Sequence, residues 1–580
     1  MVGNGNMGSL LSFEFEGRPV TFRNPVRVIA AHTLDEVVPG LQAVEDAVRD
    51  GFYAAGYVSY ESAPAFDPAF RVVSGARMPL LWFGTFEAPE HVGLRGSSRY
   101  QHSEWRPSVG MDEYRASIRY IRQAIEAGDT YQANYTIQLK SEFSGDDVAF
   151  FNRLKKAQDS NYCAYLDIEG FRILSASPEL FFHKKGSKIT TRPMKGTIMR
   201  GRSFAEDVAN AKWLFESEKN RSENVMIVDL LRNDLGMIAE PGTVEVPKLF
   251  EIERYPTVHQ MTSTVTARVS EDVGLVDVFQ ALFPCGSITG APKVSTMGII
   301  AELENTPREV YCGAIGYITP ESEAIFNVPI RTVVIDSESG VATYGVGGGI
   351  TWDSTAEDEY EEVVAKAKLL EMDRPEFELL ESLLLEDGKY FLYEEHLDRL
   401  GRSVKYFGFN VDRSTVEKAL AEFAESNPIG SLKVRLLVSR DGAVSVEGQA
   451  VSAIAGPLKV RLAGKPVDKN DPFLYHKTTN RAVYANFFEE RGDAFDVLLW
   501  NQDGELTEFT NGNVVVELDG ELWTPTVASG LLAGTYREKL LLDGVVRERV
   551  LKVEDLKRCT KIWFVNSVRR WVEVQVAEKY

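Results

Sequence analysis

The sequence predicts an α+β protein made of two large units, the first of them mainly antiparallel. Three observations carry this. The chain has 580 residues, 44% of them hydrophobic and 26% charged, which is too long for one ordinary core and too apolar for disorder. In its first part, short alternating runs such as Ala164 to Ile168, Phe171 to Ser175 and Leu180 to His183 meet at glycines and turn residues. The helical stretches between such runs do not alternate with them regularly, which disfavours a doubly wound sheet. Finally, Asp373-Arg374-Pro375 interrupts a helical pattern, because proline disfavours helix in the residue before it.

Taken in order, the pattern predicts helices over Met111 to Ala127 and over Phe204 to Leu231. A further helix from Asp353 through Leu370 has carboxylates at its start and an apolar stripe of Val363, Val364, Ala367 and Leu370. The break that follows sets the expected domains at residues 1–371 and 377–580, with Phe377 to Leu385 opening the second. No fixed-period repeat or low-complexity tract is present.

Composition excludes some functions. A formal charge of -21 argues against nucleic acid as a partner, which would require a concentrated basic face. Cys163, Cys285, Cys312 and Cys559 have neither a C-x-x-C pair nor metal-ligand spacing, and read as reduced thiols. Residues 1–11 lack the basic region of a leader, and no run approaches the roughly 18 apolar residues of a membrane span. A soluble cytoplasmic protein is expected.

The chemistry of the first unit starts at Lys195, in Thr191-Arg192-Pro193-Met194-Lys195-Gly196-Thr197, where a turn is expected to offer a primary amine. Glu179, in Ser177-Pro178-Glu179, stands at the mouth of an apolar strand, where desolvation suits a general acid. Glu223 lies on one predicted helix, Glu359 and Glu362 on another. Carboxylates on two helices suit Mg²⁺ with waters and a substrate carboxylate, or are simply two solvated helix faces. Gly345-Val346-Gly347-Gly348-Gly349 admits close backbone approach by an anion, and Arg331 offers a guanidinium to a carboxylate.

These residues fall in ordered segments, SASPELFF, RPMKGT, ENVMIVDLLRNDLG, CGSITGAPK, GAIGY, VPIRT, GVGGGI and DEYEE, through which residues 1–371 resemble the chorismate-utilising enzymes. The resemblance implies that Glu223 and Glu362 ligate Mg²⁺, with Glu359 nearby, and that Glu179 protonates a departing hydroxyl. It implies that Tyr317, Arg331, Gly347, Gly348, Gly349, Gly196 and Thr197 bind the carboxylates of chorismate, with Thr289 and Lys366 as further candidates. Members that add water resemble one another in having a lysine base where this chain has Gln132, and an amide cannot take that proton. Lys195 itself matches the aminodeoxychorismate synthase branch, whereas anthranilate synthases have a small residue there. The implied mechanism is covalent attack by Lys195 on ring C2, with Arg192 and Arg200 expected to lower its pKa. His259 is left outside the catalytic set.

In the second unit His396-Leu397-Asp398-Arg399 is expected on a helix starting near Glu394. Tyr475-His476-Lys477-Thr478-Thr479-Asn480, Gly504 through Asn513 ahead of a β run, and Ser529 through Arg537 follow. Singly, each reads as an ordinary loop, turn or cap. Together they resemble the class IV, fold-type IV pyridoxal-phosphate enzymes, an α/β domain pair. The resemblance implies that Lys477 carries the cofactor, Glu508 keeps its pyridine nitrogen protonated, and Arg399 and Thr535 bind its phosphate, with Thr510 assisting. Lyase and aminotransferase are not separated by these residues.

The joined halves are expected to aminate chorismate and then eliminate pyruvate to form 4-aminobenzoate, a folate precursor. The alternatives are an anthranilate-type synthase joined to an aminotransferase, and a non-catalytic chorismate-binding regulator. No cysteine has the setting of a glutaminase nucleophile, so ammonia is expected from a separate glutamine amidotransferase subunit, and a homodimer through the second domain is anticipated.

Overall fold

The structure, a computed structural model, describes residues 2–4, 8–96, 99–452 and 457–577. It divides into two compact units, Met1–Met199 with Ala211–Arg374, and Arg200–Asn210 with Pro375–Tyr580. The second unit thus also takes in a short segment from within residues 1–371. Its Arg200 lies 4.4 Å above the Tyr406 ring and donates to the Tyr406 carbonyl at 2.8 Å.

In the first unit an eleven-stranded and a ten-stranded sheet face each other. Neighbouring strands run antiparallel, as in Tyr162–Ile168 against Phe171–Ser177 and Val341–Ile350 against Gln132–Gly145. Alternation places Phe13, Phe22, Leu166, Tyr57, Trp82 and Ile325 between the sheets. Helix Leu34–Arg49 covers the outer face of one sheet through Val37, Leu41 and Val44. Met111–Ala127 and Asp147–Gln158 cover the other. The helix Met111–Ala127 forms because Tyr114, Ile118 and Ile121 recur at helical spacing on one buried face. It stops at Gly128, which takes φ 82° as a left-handed cap.

The single helix expected over Phe204 to Leu231 is two, Phe204–Glu216 and Glu218–Gly236. Ser217 breaks it: in extended conformation (ψ 110°), its hydroxyl accepts from the Asn220 amide and caps a new helix. Likewise the last helix of the unit is Ala356–Ala367, begun by Thr355 as cap and finished by the tighter turn Lys368–Leu370.

The second unit has a four-stranded antiparallel sheet, Leu379–Glu386, Lys389–Phe391, Ser431–Val438 and Val444–Ala450. The helices Tyr393–Phe407 and Arg413–Ser426 pack on it through Leu397, Leu400 and Leu420. An eight-stranded mixed sheet follows, in which Leu458–Leu462 runs parallel to Val497–Trp500 and to Arg570–Val576. No helix among the described residues is long and apolar enough to cross a membrane.

Candidate active sites

Lys195 stands on the strand Met194–Met199, not in a turn. Met194 faces Thr262 and Thr197 faces Gln260 on the partner strand, so three steps oppose two and a bulge falls at Lys195–Gly196. Gly196 takes φ 99° there, a conformation that costs glycine little. Two carboxamides hold the bulge from behind: Asn224 donates to the Lys195 carbonyl at 3.3 Å and Gln260 to that of Gly196 at 2.8 Å. Asn224 is itself held by Ser263, whose hydroxyl donates to it at 2.5 Å.

The bulge turns Lys195 into a cavity of ≈ 260 Å³ that Glu179, Glu223, Glu362 and Arg331 also line. Glu179 is 2% exposed. Burial pushes its carboxyl up to about 7, against the opposing pull of the Ser287 hydroxyl, which donates to Oε1 at 2.6 Å, and of Lys195. The Lys195 amine is pushed below its ordinary value, first by desolvation and then by the Lys366 ammonium, while Glu223, Glu362 and Glu179 pull it back. Arg192 and Arg200 do not have the role expected of them: Arg192 pairs with Glu253 at 2.6 Å and Arg200 pairs with Asp207. Gln132, 2% exposed, reaches the same place. A Cβ on Gly349 would fall 1.8 Å from its Nε2 and 2.5 Å from Lys195 Nζ, so the absence of a side chain at Gly349 is what lets both groups enter.

The opposite wall carries the carboxylates. Desolvation raises Glu223 and Glu359 above the usual carboxylate range. For Glu362 burial acts upward, but Lys366, paired at 2.5 Å, and Lys195 outweigh it and leave the group lowered. Glu359 and Glu362 both approach Gly348, whose Cβ would meet them at 3.1 and 3.4 Å. Among the described residues no cluster of three His, Cys, Asp or Glu ligands forms. Two carboxylates from separate helices, with room for water and a substrate oxygen, fit Mg²⁺, which keeps much of its hydration and takes few protein ligands.

Anion binding has a backbone basis. The strand Val341–Ile350 pairs with Gln132–Gly145 as far as Ile350, but with Thr332–Asp336 only as far as Tyr344. Past Tyr344 one edge is left without a ladder partner, and Gly347, Gly348 and Gly349 line the cavity there. Lys366 anchors this edge by donating to the Gly347 carbonyl at 2.6 Å. Arg331 donates to the Lys366 carbonyl at 3.3 Å and also lines the cavity, as do Gly196 and Thr197.

Two expected residues stand elsewhere. Tyr317, on Ala314–Ile318, points between the sheets and stacks on Phe15 at 5.8 Å. The hydroxyl of Thr289 donates back to the carbonyls of Cys285 and Gly286, at 3.2 and 3.3 Å, and the residue does not line the cavity. In place of Tyr317 the cavity receives Tyr311, six residues earlier, which packs where a Cβ on Gly345 would meet its ring at 2.4 Å. Tyr311 and Ser287 were both missed, although each lies in or beside a motif that the sequence made visible. His259 lies on Val258–Arg268 and does not line the cavity.

The second unit holds a cavity of ≈ 370 Å³ lined by Lys477, Arg399, Glu508, Thr510 and Thr535. Desolvation, then Arg399, lowers the Lys477 amine to about 7. Burial raises Glu508 to about 8, although the Tyr484 hydroxyl donates to it at 2.8 Å and the Leu532 amide at 3.2 Å. Arg399 is clamped by Glu381 through Nε and Nη2, at 2.9 and 2.5 Å. Thr535 opens the helix Thr535–Leu542. Thr510 lines the cavity, but its hydroxyl is already given to Asp496 at 2.5 Å. A desolvated amine, a carboxyl held by hydrogen bonds, and an arginine beside a helix start fit pyridoxal phosphate in its aldehyde, ring-nitrogen and phosphate requirements.

Two sheets with helices outside them, and a cavity that gathers an amine, an acid and a carboxylate pair, define an enzyme. Residues 89–371 match the model of the chorismate binding enzymes, and residues 378–576 that of the class IV amino-transferases. The chain is 39% identical over 336 residues to the aminodeoxychorismate synthase component 1 of Salmonella typhimurium, covering 57% of this chain and 72% of that protein. With its Escherichia coli counterpart it shares 41% over 264 residues, 46% of this chain and 58% of that protein. The solved anthranilate synthase component I of Streptococcus pneumoniae aligns with TM-score 0.52 and 25% identity, over 64% of this chain and 92% of that one. The chain belongs to the chorismate-binding enzyme family and carries a class IV amino-transferase domain behind its chorismate-binding part. Members of the first family use Mg²⁺ and act on chorismate, and the second domain is a pyridoxal-phosphate domain.

Proposed function

We propose that the first unit replaces the C4 hydroxyl of chorismate by an amino group, and that the second converts the 4-amino-4-deoxychorismate so formed into 4-aminobenzoate and pyruvate. The observation that carries this reading is the Lys195 amine, desolvated and beside the protonatable Glu179, with the amide of Gln132 standing where water-adding relatives have a lysine.

In this reaction the neutral Lys195 amine bonds to ring C2. The two ring π pairs shift toward C4, the C4–O bond breaks, and the Glu179 proton leaves with the hydroxyl as water. Ammonia then bonds to C4, the pairs shift back, and the C2–N bond returns its electrons to Lys195. Each nitrogen sheds one proton as it bonds to carbon, so chorismate and ammonia give product and water. Arg331, Tyr311 and the backbone of Gly196, Thr197 and Gly347 to Gly349 hold the substrate carboxylates. Glu223 and Glu362 would hold Mg²⁺, with Glu359 beside them. When bound, the ion neutralises the ring carboxylate.

In the second unit Lys477 would carry pyridoxal phosphate, Glu508 its ring-nitrogen proton, and Arg399 and Thr535 its phosphate. When bound, the cofactor supplies an electron sink. Lys477 takes the proton from C4 as the C3–O bond breaks and the ring becomes aromatic, and returns that proton to the departing enolate, which leaves as pyruvate. The buried thiols Cys163, Cys285 and Cys312 are held up to about 12 by desolvation, which supports the view that ammonia comes from a separate glutamine amidotransferase subunit. A cytoplasmic homodimer associating through the second unit completes the proposal.

The test is incubation of the pure chain with chorismate, Mg²⁺ and ammonium at alkaline pH, with and without pyridoxal phosphate. We expect 4-amino-4-deoxychorismate without the cofactor and 4-aminobenzoate with it. Anthranilate would overturn the first assignment; accumulation of the amino intermediate despite the cofactor would overturn the second. Lys195→Ala should abolish the mass adduct of a single turnover, and an adduct that persists removes Lys195 from the reaction.

A further inference from the structure

The wall of the second cavity carries cations that the cofactor does not explain. Arg399 belongs with Thr535 and is already clamped by Glu381. Lys433, Arg481 and Arg569 also line the cavity, and none of them makes an ion pair with a carboxylate among the described residues. In a chain of formal charge -21, most exposed arginines find such a partner. Arg435, two residues from Lys433 on the same strand, pairs with Glu447 at 3.4 Å, and Arg570, next to Arg569, pairs with Glu386 at 2.7 Å.

The two arginines are instead fixed by neutral groups. Arg481 stacks over the Tyr484 ring at 4.3 Å and donates to the Thr510 carbonyl at 2.5 Å. Arg569 donates to the Ser452 carbonyl at 2.9 Å. They crowd one another: desolvation lowers the Lys433 amine, and Arg569, Arg435 and Arg481 add to that in the same direction. Like charges gathered on one wall without an ion pair of their own favour an incoming anion. Gln449, Asn511 and Asn566 line the same cavity.

We propose that Lys433, Arg481 and Arg569 form an anion subsite that reads the two carboxylates of a ring dicarboxylate, and so select such a substrate over an apolar amino acid. The inference rests on the reading of the second unit as a pyridoxal-phosphate site that consumes the first unit's product. It bears on a choice that the motif residues leave open. An aminotransferase for aliphatic amino acids needs an apolar wall and one carboxylate contact, whereas the ring product of the first reaction carries a ring carboxylate and an enolpyruvyl carboxylate.

The experiment uses the full chain loaded with pyridoxal phosphate. The probes are 3-(carboxymethoxy)benzoate, a stable ring dicarboxylate, and benzoate, its monocarboxylate counterpart, each titrated by calorimetry against wild type, Arg569→Met and Lys433→Met. We expect the dicarboxylate to bind the wild type better than benzoate does. Each substitution should weaken the dicarboxylate by about tenfold to a hundredfold, the range of a lost hydrogen bond to a charged group, with cofactor affinity unchanged and KM for 4-amino-4-deoxychorismate raised more than kcat is lowered. Equal binding of both probes to the wild type, or unchanged dicarboxylate binding in both variants, overturns the subsite. A wild type that selects the dicarboxylate but never releases pyruvate would leave the subsite standing and refute only the lyase reading.

Discussion

Replacing Ser287 by alanine tests the acid–base assignment of the first site most directly. The Ser287 hydroxyl donates to Glu179 Oε1 at 2.6 Å, inside a pocket where Glu179 is 2% exposed. It favours the charged carboxylate, and so holds down a group that burial has already raised to about 7. A hydrogen bond to a charged group is worth roughly 1.5–3 kcal/mol. At 1.36 kcal/mol per unit, its loss should raise the Glu179 pKa by about one to two units. The sign follows from the role. Glu179 acts in its protonated form, so activity falls as pH rises through its pKa, and Lys195 acts in its neutral form, so activity falls as pH drops through its own. Ser287→Ala should therefore move the limb of the pH profile for chorismate consumption that reports Glu179 upward by about one to two units and leave the other limb in place. Initial rates with saturating ammonia-bearing buffer, measured across both limbs, check this. A profile in which neither limb moves up would refute Glu179 as the acid.

Three further outcomes are expected. Gly349→Ala should cost the first reaction about a hundredfold, because the new Cβ displaces the ends of Gln132 and Lys195, with the thermal transition little changed; full activity would show that neither group needs its present position. Arg308→Met should destabilise the first unit by about 3–5 kcal/mol in urea unfolding. It would strip a bidentate partner from the buried Glu304 and a donor from the carbonyls of Ile288 and Asn134, both residues of the cavity wall. Thr510→Ala should leave the dissociation constant of pyridoxal phosphate within about twofold, since the hydroxyl is spent on the buried Asp496 carboxylate and not on the cofactor; a tenfold weakening in spectroscopic titration would restore Thr510 to the cofactor site.

Much of this was legible in the residues, and the misses share a cause. Met111–Ala127 could be read to its last residue because an apolar period and a terminal glycine agree. The Ser217 break was not, because a serine within a helical pattern acts as a cap only when its backbone leaves the helical region. Lys195, Glu179, Glu223 and Glu362, far apart in sequence, line one cavity. Tyr317 misled because a motif match does not say whether a strand reaches the site: no residue of Ala314–Ile318 lines the cavity, and Tyr317 packs between the sheets. Tyr311 and Ser287 act across distances of chain that periodicity does not span; their partners Gly345 and Glu179 become visible only once the sheets are closed.

The bulge at Lys195–Gly196 makes the count of residues, and not only their identity, a condition for this chemistry. Lys195 and Gly196 together stand opposite the one residue Met261 on the facing strand. Deleting one of them would restore plain alternation and exchange the faces of every side chain upstream or downstream of the cut. The nucleophile is thus protected by a frame as much as by its neighbours. A shortened loop elsewhere on this surface could pass unnoticed, but a one-residue loss here would remove the amine from the cavity even with the lysine still encoded.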